Sequence, residues 1–445
     1  MLKCFYLIIE EFVELKGKNV VIFGLGVSGK SALELCLSKD AEVTVVNQGD
    51  PQQWGLKELK SLTLLSQEKA SSSDFTKADY IILSPGIPRE LELLQESIAL
   101  NIPVINEIEL ALSFISRKIP IIAVTGTNGK TTTVSLIDHV LNGLGYKVFT
   151  GGNIGRPLCE LVLSGEDVEV INLELSSFQL ESIFQLSPRA GAILNIDENH
   201  GERYSKVSDY QRAKERIYRI MDKDGILVLG QSDIEFKDIA KTKEFFDLTD
   251  STVKNILKRF NIDRDDFKMK GIHNIKNIVS AYFLTSFLIK NGEDFFRLAK
   301  EFKGVEHRLE FICQVGELDI YNDAKSTNWL ATMTAVKSFS DKDVFLIVGG
   351  KRRGEGDMPH SSDIQLINSR CEKVFCFGES GKELSILFKN SYYGKDLEEV
   401  FNVIVNQCTK GVLLFSPAYP SFDQYENYAQ RGDHFKELVK MTLKN

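Results

Sequence analysis

A chain of 445 residues exceeds what one hydrophobic core ordinarily serves, so about three domains are expected. Hydrophobic residues at 43% and charged residues at 26% exclude disordered, collagen-like and coiled-coil classes, and a net charge of -8 argues against a general nucleic-acid binder. Seven cysteines without a C-x-x-C pair read as reduced core thiols, not a zinc site, and no apolar run is long enough to span a membrane. The run from Phe5 to Ile9 stops at Glu10 and Glu11 with no cleavage pattern, so a cytoplasmic protein is expected.

Residues 19–24, NVVIFG, read as a buried strand. GLGVSGKSALELCLSK then reads as a turn and an amphipathic helix, and EVTVVN from Glu42 as the next strand. Gly24, Gly26 and Gly29 match the G-x-G-x-x-G pattern of a nucleotide-binding βαβ unit, with the ligand at the helix N-terminus. The second strand ends in Asn47, Gln48 and Gly49, without the acidic residue that would hold a dinucleotide ribose. Helix-on-sheet packing is the alternative use of these glycines. After a polar stretch of weak periodicity, residues 78–88 and 102–107 read as strands, the first ending in a Ser84-Pro85-Gly86 turn. The first domain is drawn at residues 1–102.

The strongest motif is IIAVTGTNGKTTT, residues 121–133. Ile121 to Val124 read as a buried strand, Gly126 and Gly129 turn the backbone around Thr127 and Asn128, and a helix starts near Thr131. Such a turn holds phosphate by backbone N–H groups and the helix dipole. Lys130 reaches the outer phosphates, and the Thr131 hydroxyl, followed by Thr132, suits magnesium. The longer phosphate-loop pattern wants a glycine where Val124 stands, so the shorter form GTNGKTT is the operative one.

Farther along, Glu174 follows the apolar run from Val168 to Leu173, at or near a strand end where a carboxylate can hold magnesium or simply face solvent. His200 follows ILNIDEN, again past a strand, and Lys214 lies in a highly charged helix. Residues 271–292 read as one helix, with Asn274 and Asn277 on one face near its start, suited to a purine or ribose or to capping. The second domain is drawn at 103–304. From residue 305 to 445, strands within VEHRLEFI, ELDIYNDAKSTN, DVFLIVGGKRRGEGD, KVFCFG and GVLLFSPAYPSFDQY predict a third α/β domain. Asp323, Lys325, Thr327, Arg353 and Ser421 follow strands there and suit a carboxylate-bearing substrate, although Lys351 to Arg353 read equally as a solvated loop.

Taken together, GLGVSG, SPGIP, GTNGKTT, GGNIG, ELSSFQLE, HNIKN, EHRLE, NDAKSTN and SPAYPSFDQYENYAQRGDHF resemble, in order, the ATP-dependent Mur ligases of peptidoglycan synthesis. The resemblance runs from about Lys18 to the end. It implies a Rossmann-like UDP-binding domain, a central P-loop ATPase-type domain with a mostly parallel sheet, and a Rossmann-like C-terminal domain. The implied activity is ATP-dependent amide ligation, joining D-glutamate to UDP-N-acetylmuramoyl-L-alanine through an acyl phosphate, in cell-wall synthesis, cell shape and division.

Residue by residue, the resemblance implies that Gly126 to Thr132 hold the ATP phosphates, with Asn274, Asn277, Arg308 and Asp323 on the nucleotide. Lys130, Glu174, His200 and Lys214 would be catalytic. Two magnesium ions would be held by Thr131, Glu174, His200 and Lys214, the last as a carbamate, because an ammonium repels a cation. Val27, Ser28, Asn47, Gln48, Ser84, Gly86, Asn153, Ser176 and Gln179 would lie along the UDP-sugar. Lys325, Thr327, Arg353, Ser421, Phe422 and Tyr428 would surround D-glutamate. A monomer without nucleic-acid or membrane partners is expected. The competing readings are a dinucleotide-dependent oxidoreductase with an appended nucleotide-binding domain, and a non-catalytic nucleotide switch.

Overall fold

The computed structural model describes residues 13–57, 59–196, 203–204, 206–230, 244–269, 271–339, 343–352, 354 and 357–442. By internal contact it forms two compact units, one holding the chain to Ile256 together with Asn277–Phe295, the other holding Leu257–Lys276 and the chain from Phe296. Among the described residues, no helix is long and apolar enough to cross a membrane.

The first unit contains two parallel sheets. β1 (Asn19–Phe23), β2 (Glu42–Asn47), β3 (Leu62–Ser66), β4 (Tyr80–Leu83) and β5 (Val104–Ile105) pair in the order 3-2-1-4-5. The edge strand β5 thus lies just past residue 102, where the sequence pattern set the end of the domain. β6 (Ile121–Thr125), β7 (Val148–Gly152), β8 (Val170–Glu174), β9 (Ala190–Ile193), β10 (Ile226–Leu229) and β11 (Glu244–Asp247) pair in the order 11-10-9-6-8-7. β6 and β8 are buried at every position, as expected for central strands covered by helices on both faces. In both sheets chain order reverses across β1 or β6, and the crevice at such a reversal is where α/β proteins bind ligands.

The second unit holds β12 (Glu310–Val315), β13 (Glu317–Asn322), β14 (Val344–Gly349), β15 (Cys371–Phe377), β16 (Ser391–Gly394) and β17 (Lys410–Ala418). Their order is 12-13-17-14-15-16, parallel except for the antiparallel β12–β13 pair. The VEHRLEFI segment is strand only from Glu310. His307 and Leu309 adopt positive φ, at 60° and 44°, which no regular strand accommodates. The helix expected over 271–292 ends at Thr285, where the Thr285 hydroxyl turns back to the Ala281 carbonyl at 2.8 Å; a separate helix runs Gly292–Glu301.

The short helix Glu107–Leu112 binds the first sheet to the second through polar groups that apolar patterning does not reveal. Asn106 caps it, accepting from the Glu109 N–H at 2.9 Å, and donates to the Gln179 carbonyl at 2.8 Å. Glu107 Oε1 accepts from the Cys159 N–H, and Glu109 accepts from the Phe184 and Gln185 N–H groups at 2.9 and 3.0 Å. Burial pushes both carboxyls up to about 7 despite these donors. The folded chain therefore holds the Glu107 proton more tightly than the unfolded chain, whose carboxyl titrates near 4.5. This stabilisation is full below 4.5 and is lost as pH rises through about 7. Glu107→Gln is expected to gain stability relative to the parent between about pH 5 and about pH 8, by up to roughly 3 kcal/mol. Paired thermal melts at those two values check it; a pH-independent difference would contradict it.

Candidate active site

The phosphate loop is built by β6 ending against its two neighbours. Val124 lies in register with Glu174 on β8, and Thr125 with Ile193 on β9, so a carboxylate and the Leu194–Asn195 turn flank the loop from opposite sides. Asn195 braces it. Its carbonyl accepts from the Thr127 N–H at 3.0 Å, and its carboxamide exchanges hydrogen bonds with the Asn128 backbone at 2.7 and 3.1 Å. The helix Lys130–Gly143 starts from Gly129 at φ 81°, a left-handed conformation natural to glycine. A Cβ there would come within 2.6 Å of Asn277 Oδ1, so Asn277 leans directly on the loop.

Around this loop five polar groups converge. Thr131 donates its hydroxyl to Glu174 Oε2 at 2.9 Å, and Asn153 donates to Glu174 Oε1 at 2.8 Å; Glu174 is only 1% exposed. Lys130 folds back onto the loop, donating to the Gly126 and Thr127 carbonyls at 2.7 and 2.8 Å. Lys214, on the helix Val207–Arg219, is 1% exposed, donates to the Gly126 carbonyl at 2.9 Å and lies over the Tyr210 ring at 4.4 Å. Burial, assisted by the nearby Lys130 charge and opposed by Glu174, pushes its ammonium down to about 6. The amine is therefore largely neutral at physiological pH.

On the first sheet, a cleft of about 430 Å³ opens where β1, β2 and β4 end, lined by Gly24 to Ser28, Asn47, Gln48, Gln67 and Ser84 to Ile87. A Cβ on Gly29 would lie 2.0 Å from the Gly24 carbonyl, so that glycine serves close packing, whereas Gly26 faces open space. Asn47 pins the turn by accepting from the Leu25 N–H at 3.1 Å, and Ser84 donates to the Gly24 carbonyl at 3.0 Å.

In the second unit, the ends of β13, β14 and β17 carry the remaining candidates. Lys325 lies over the Tyr428 ring at 5.3 Å, Ser421 is buried and Phe422 is exposed. Arg352 pairs with Glu383 at 2.8 Å. Asp323 is an internal hub: it accepts from the Leu309 N–H at 3.0 Å and from the Ser326 and Ser416 hydroxyls at 2.6 and 2.8 Å. Burial nevertheless pushes its carboxyl up to about 6. Its bond to Leu309 fixes the positive-φ turn that carries Arg308.

Models of the Mur ligase middle domain and of the MurD-like N-terminal domain match residues 124–285 and 18–106. UDP-N-acetylmuramoylalanine--D-glutamate ligase of Geotalea daltonii is 35% identical over 453 residues, covering 96% of this chain and 98% of its own. The chain belongs to the Mur ligase family. The enzyme of the same name from Leuconostoc mesenteroides is also 35% identical, over 97% of this chain and 99% of its own. Among solved structures, the MurF ligase of Thermotoga maritima in complex with ADP aligns with a TM-score of 0.58 at 17% identity, covering 98% of each chain. The UDP-N-acetylmuramate-alanine ligase MurC of the same organism aligns at 0.54 and 18% identity, over 95% of this chain and 99% of its own. At such identities these two speak to the fold alone, three α/β domains with mostly parallel sheets.

Within this Mur ligase, Thr131, Glu174, Lys130, Lys214 and Asn277 meet at one loop, and Asn153 joins them rather than the first-sheet cleft. Ser176 and Gln179 form a reciprocal cap on the helix Ser177–Glu181. Val27, Ser28, Asn47, Gln48, Ser84 and Gly86 do share the cleft. His200 and Arg353 lie outside the described residues. Gln67 was missed by the sequence reading, and its signal was positional: it follows β3 at a sheet end, but that strand was hidden in a weakly periodic stretch. Among the described residues no group of three or more His, Cys, Asp and Glu side chains converges. Gly129→Ala, strained by about 1–2 kcal/mol and pressed against Asn277, is expected to weaken ADP binding at least about tenfold, checked by equilibrium titration.

Proposed function

We propose that this Mur ligase joins the amine of D-glutamate to the L-alanyl carboxylate of UDP-N-acetylmuramoyl-L-alanine, with ATP converted to ADP and phosphate. The observation that carries the reading is the phosphate loop with a buried carboxylate in register beside it, in a chain matched over nearly its whole length by D-glutamate ligases. The UDP-sugar is assigned to residues 1–102, ATP to 103–304 and D-glutamate to 305–445. The six described cysteines form no disulfide, which suits a reducing cytoplasm, and we take the working form to be a monomer.

A carboxylate does not acylate an amine at neutral pH, so its oxygen must first be made a leaving group. In the reading proposed, a carboxylate oxygen of the L-alanyl group attacks the γ-phosphorus, the bond to ADP breaks, and an acyl phosphate forms. The neutral amine of D-glutamate then attacks the acyl carbon and loses a proton, and phosphate leaves. The loop N–H groups and the helix that starts at Lys130 stabilise charge on the phosphates. Lys130 exchanges its two loop carbonyls for phosphate oxygens. Lys325, Thr327, Arg353, Ser421, Phe422 and Tyr428 are assigned to D-glutamate, and orienting its amine toward the acyl carbon is the contribution asked of them.

Two magnesium ions belong to the proposal, and the residues fit oxygen-bound metal. The Thr131 hydroxyl and the Glu174 carboxylate, 2.9 Å apart at the loop, are hard oxygen donors beside the phosphate position. A buried neutral amine at Lys214 can add to carbon dioxide, releasing a proton and leaving a carbamate with carboxylate-type oxygens. That group and His200 would complete the second set. Bound there, magnesium supplies positive charge against the transferring phosphoryl group.

Phosphate release with ATP, magnesium and UDP-N-acetylmuramoyl-L-alanine is expected with D-glutamate and not with L-glutamate, L-lysine or meso-diaminopimelate. Release with one of the others would move the chain to a sister ligase, and release with none would sink the ligase reading. Protein equilibrated with 13C-labelled bicarbonate is expected to show a carbamate carbon resonance that Lys214→Gln lacks. The same variant should release phosphate at least about a hundredfold more slowly.

A further inference from the structure

Arg431 lies on the C-terminal helix Tyr428–Thr442 and is wholly shielded from solvent. A buried guanidinium is normally matched by a carboxylate in direct contact. Here the hydrogen bonds go to three backbone carbonyls instead: Tyr419 at 2.9 Å, Ala324 at 3.1 Å and Gly349 at 3.4 Å. Its Nε has no partner among the described residues. The largest influence of opposite sign is Asp423, whose Oδ1 also lacks a partner among the described residues while its Oδ2 accepts from the Glu379 N–H at 3.0 Å. Burial lowers the Arg431 ionisation to about 10, which leaves it charged at neutral pH.

The three carbonyls mark the carboxyl ends of β17, β13 and β14, which are neighbours in the sheet. Two of them are followed within two residues by a group assigned to the amino acid, Ala324 by Lys325 and Tyr419 by Ser421, and Gly349 is followed two residues on by Lys351, the first residue of a basic run. The same ends are laced to one another, with Lys351 N–H on the Pro420 carbonyl at 2.8 Å and Ala418 N–H on the Ser326 carbonyl at 3.0 Å. A planar fork with five donors can tie three such carbonyls at once; an ammonium on a flexible stem cannot hold the same geometry. If packing were the whole role, an apolar side chain would serve without the desolvation of a charge.

We propose that Arg431 is a positioning residue for the amino-acid substrate, knotting the three strand ends that present Lys325, Ser421 and the basic run beginning at Lys351, and adding a buried positive charge near the carboxylates bound there. In a low-dielectric setting that charge acts over a longer distance than it would in water, and it favours a dianionic acceptor such as glutamate. The inference rests on the reading of this strand-end site as the D-glutamate site.

The test is steady-state kinetics on the full chain, with all three substrates varied in turn. Arg431→Lys keeps the charge and much of the volume, and it is expected to raise KM for D-glutamate at least about tenfold. KM for ATP and for the UDP-sugar should stay within about twofold. Arg431→Met, which removes the charge, should raise KM for D-glutamate further. Should Arg431→Met fail to fold, Gly350→Ala gives a second route, because its Cβ would lie 2.9 Å from Arg431 Nη1 and 2.3 Å from the Pro420 carbonyl. It shifts the knot without removing the charge, and the same selective rise is expected. Equal rises in all three KM values, or none, would overturn the inference while wild-type dependence on D-glutamate left the function standing. Phosphate release by the wild type that does not depend on D-glutamate would overturn the reading of the site, and this inference with it.

Discussion

The pairing of β6 with β8 is the constraint on which the phosphate-loop site depends. One step of register sets Val124 opposite Glu174, and so places a carboxylate, 1% exposed, at the mouth of the phosphate loop. A buried carboxylate needs donors. It takes them from Thr131, in the first turn of the loop helix, and from Asn153, just past the end of β7. A shift by one residue would turn the side chain at this position to the opposite face of the sheet and separate the carboxylate from the loop. Lys214 enters from a helix farther along the chain, and its burial beside the same loop keeps its amine mostly uncharged. The strand pairing therefore fixes where the carboxylate meets the loop, and burial of the helix residue beside it sets the charge of Lys214.

Much of this was legible in the sequence because the central strands are buried on both faces and read as apolar runs, interrupted in VINL by Asn172 alone. VVIF, IIAV and VINL each end in a glycine or polar residue at the sheet's carboxyl edge. Strand-end position was enough to single out Glu174, Ser84 and Asn47. β3 was not legible, since Leu62–Ser66 is mostly half-buried and carries no clear alternation, and Gln67 at its end was missed with it. The end of the helix at Thr285 was hidden because apolar residues continue through Leu288 and Ile289, whereas what ends the helix is side-chain and backbone hydrogen bonding.

Asp323 and Arg431 illustrate a different limit. Both stand in recognisable motifs, yet apart from Ser326 beside Asp323 their partners are more than ten residues away, and most are backbone groups, which carry no residue-type signature. The family resemblance implied a nucleotide contact for Asp323; in the fold its two oxygens accept from the Leu309 N–H and from the Ser326 and Ser416 hydroxyls. It supports the turn bearing Arg308 from beneath. Sequence position can show that a polar residue sits at a functional edge, but only the three-dimensional arrangement shows whether it faces the ligand or holds the residue that does.

The folded-back Lys130 also bears on which anions the loop retains. Its ammonium already has two carbonyl acceptors, so an incoming anion must compete with them for the lysine. A lone orthophosphate offers few replacement contacts and gains little from the exchange, whereas a triphosphate, anchored along several loop N–H groups, can draw the lysine outward. On the proposed reading, the loop would favour longer phosphate chains, and orthophosphate left after turnover would meet a lysine able to return to its own backbone carbonyls.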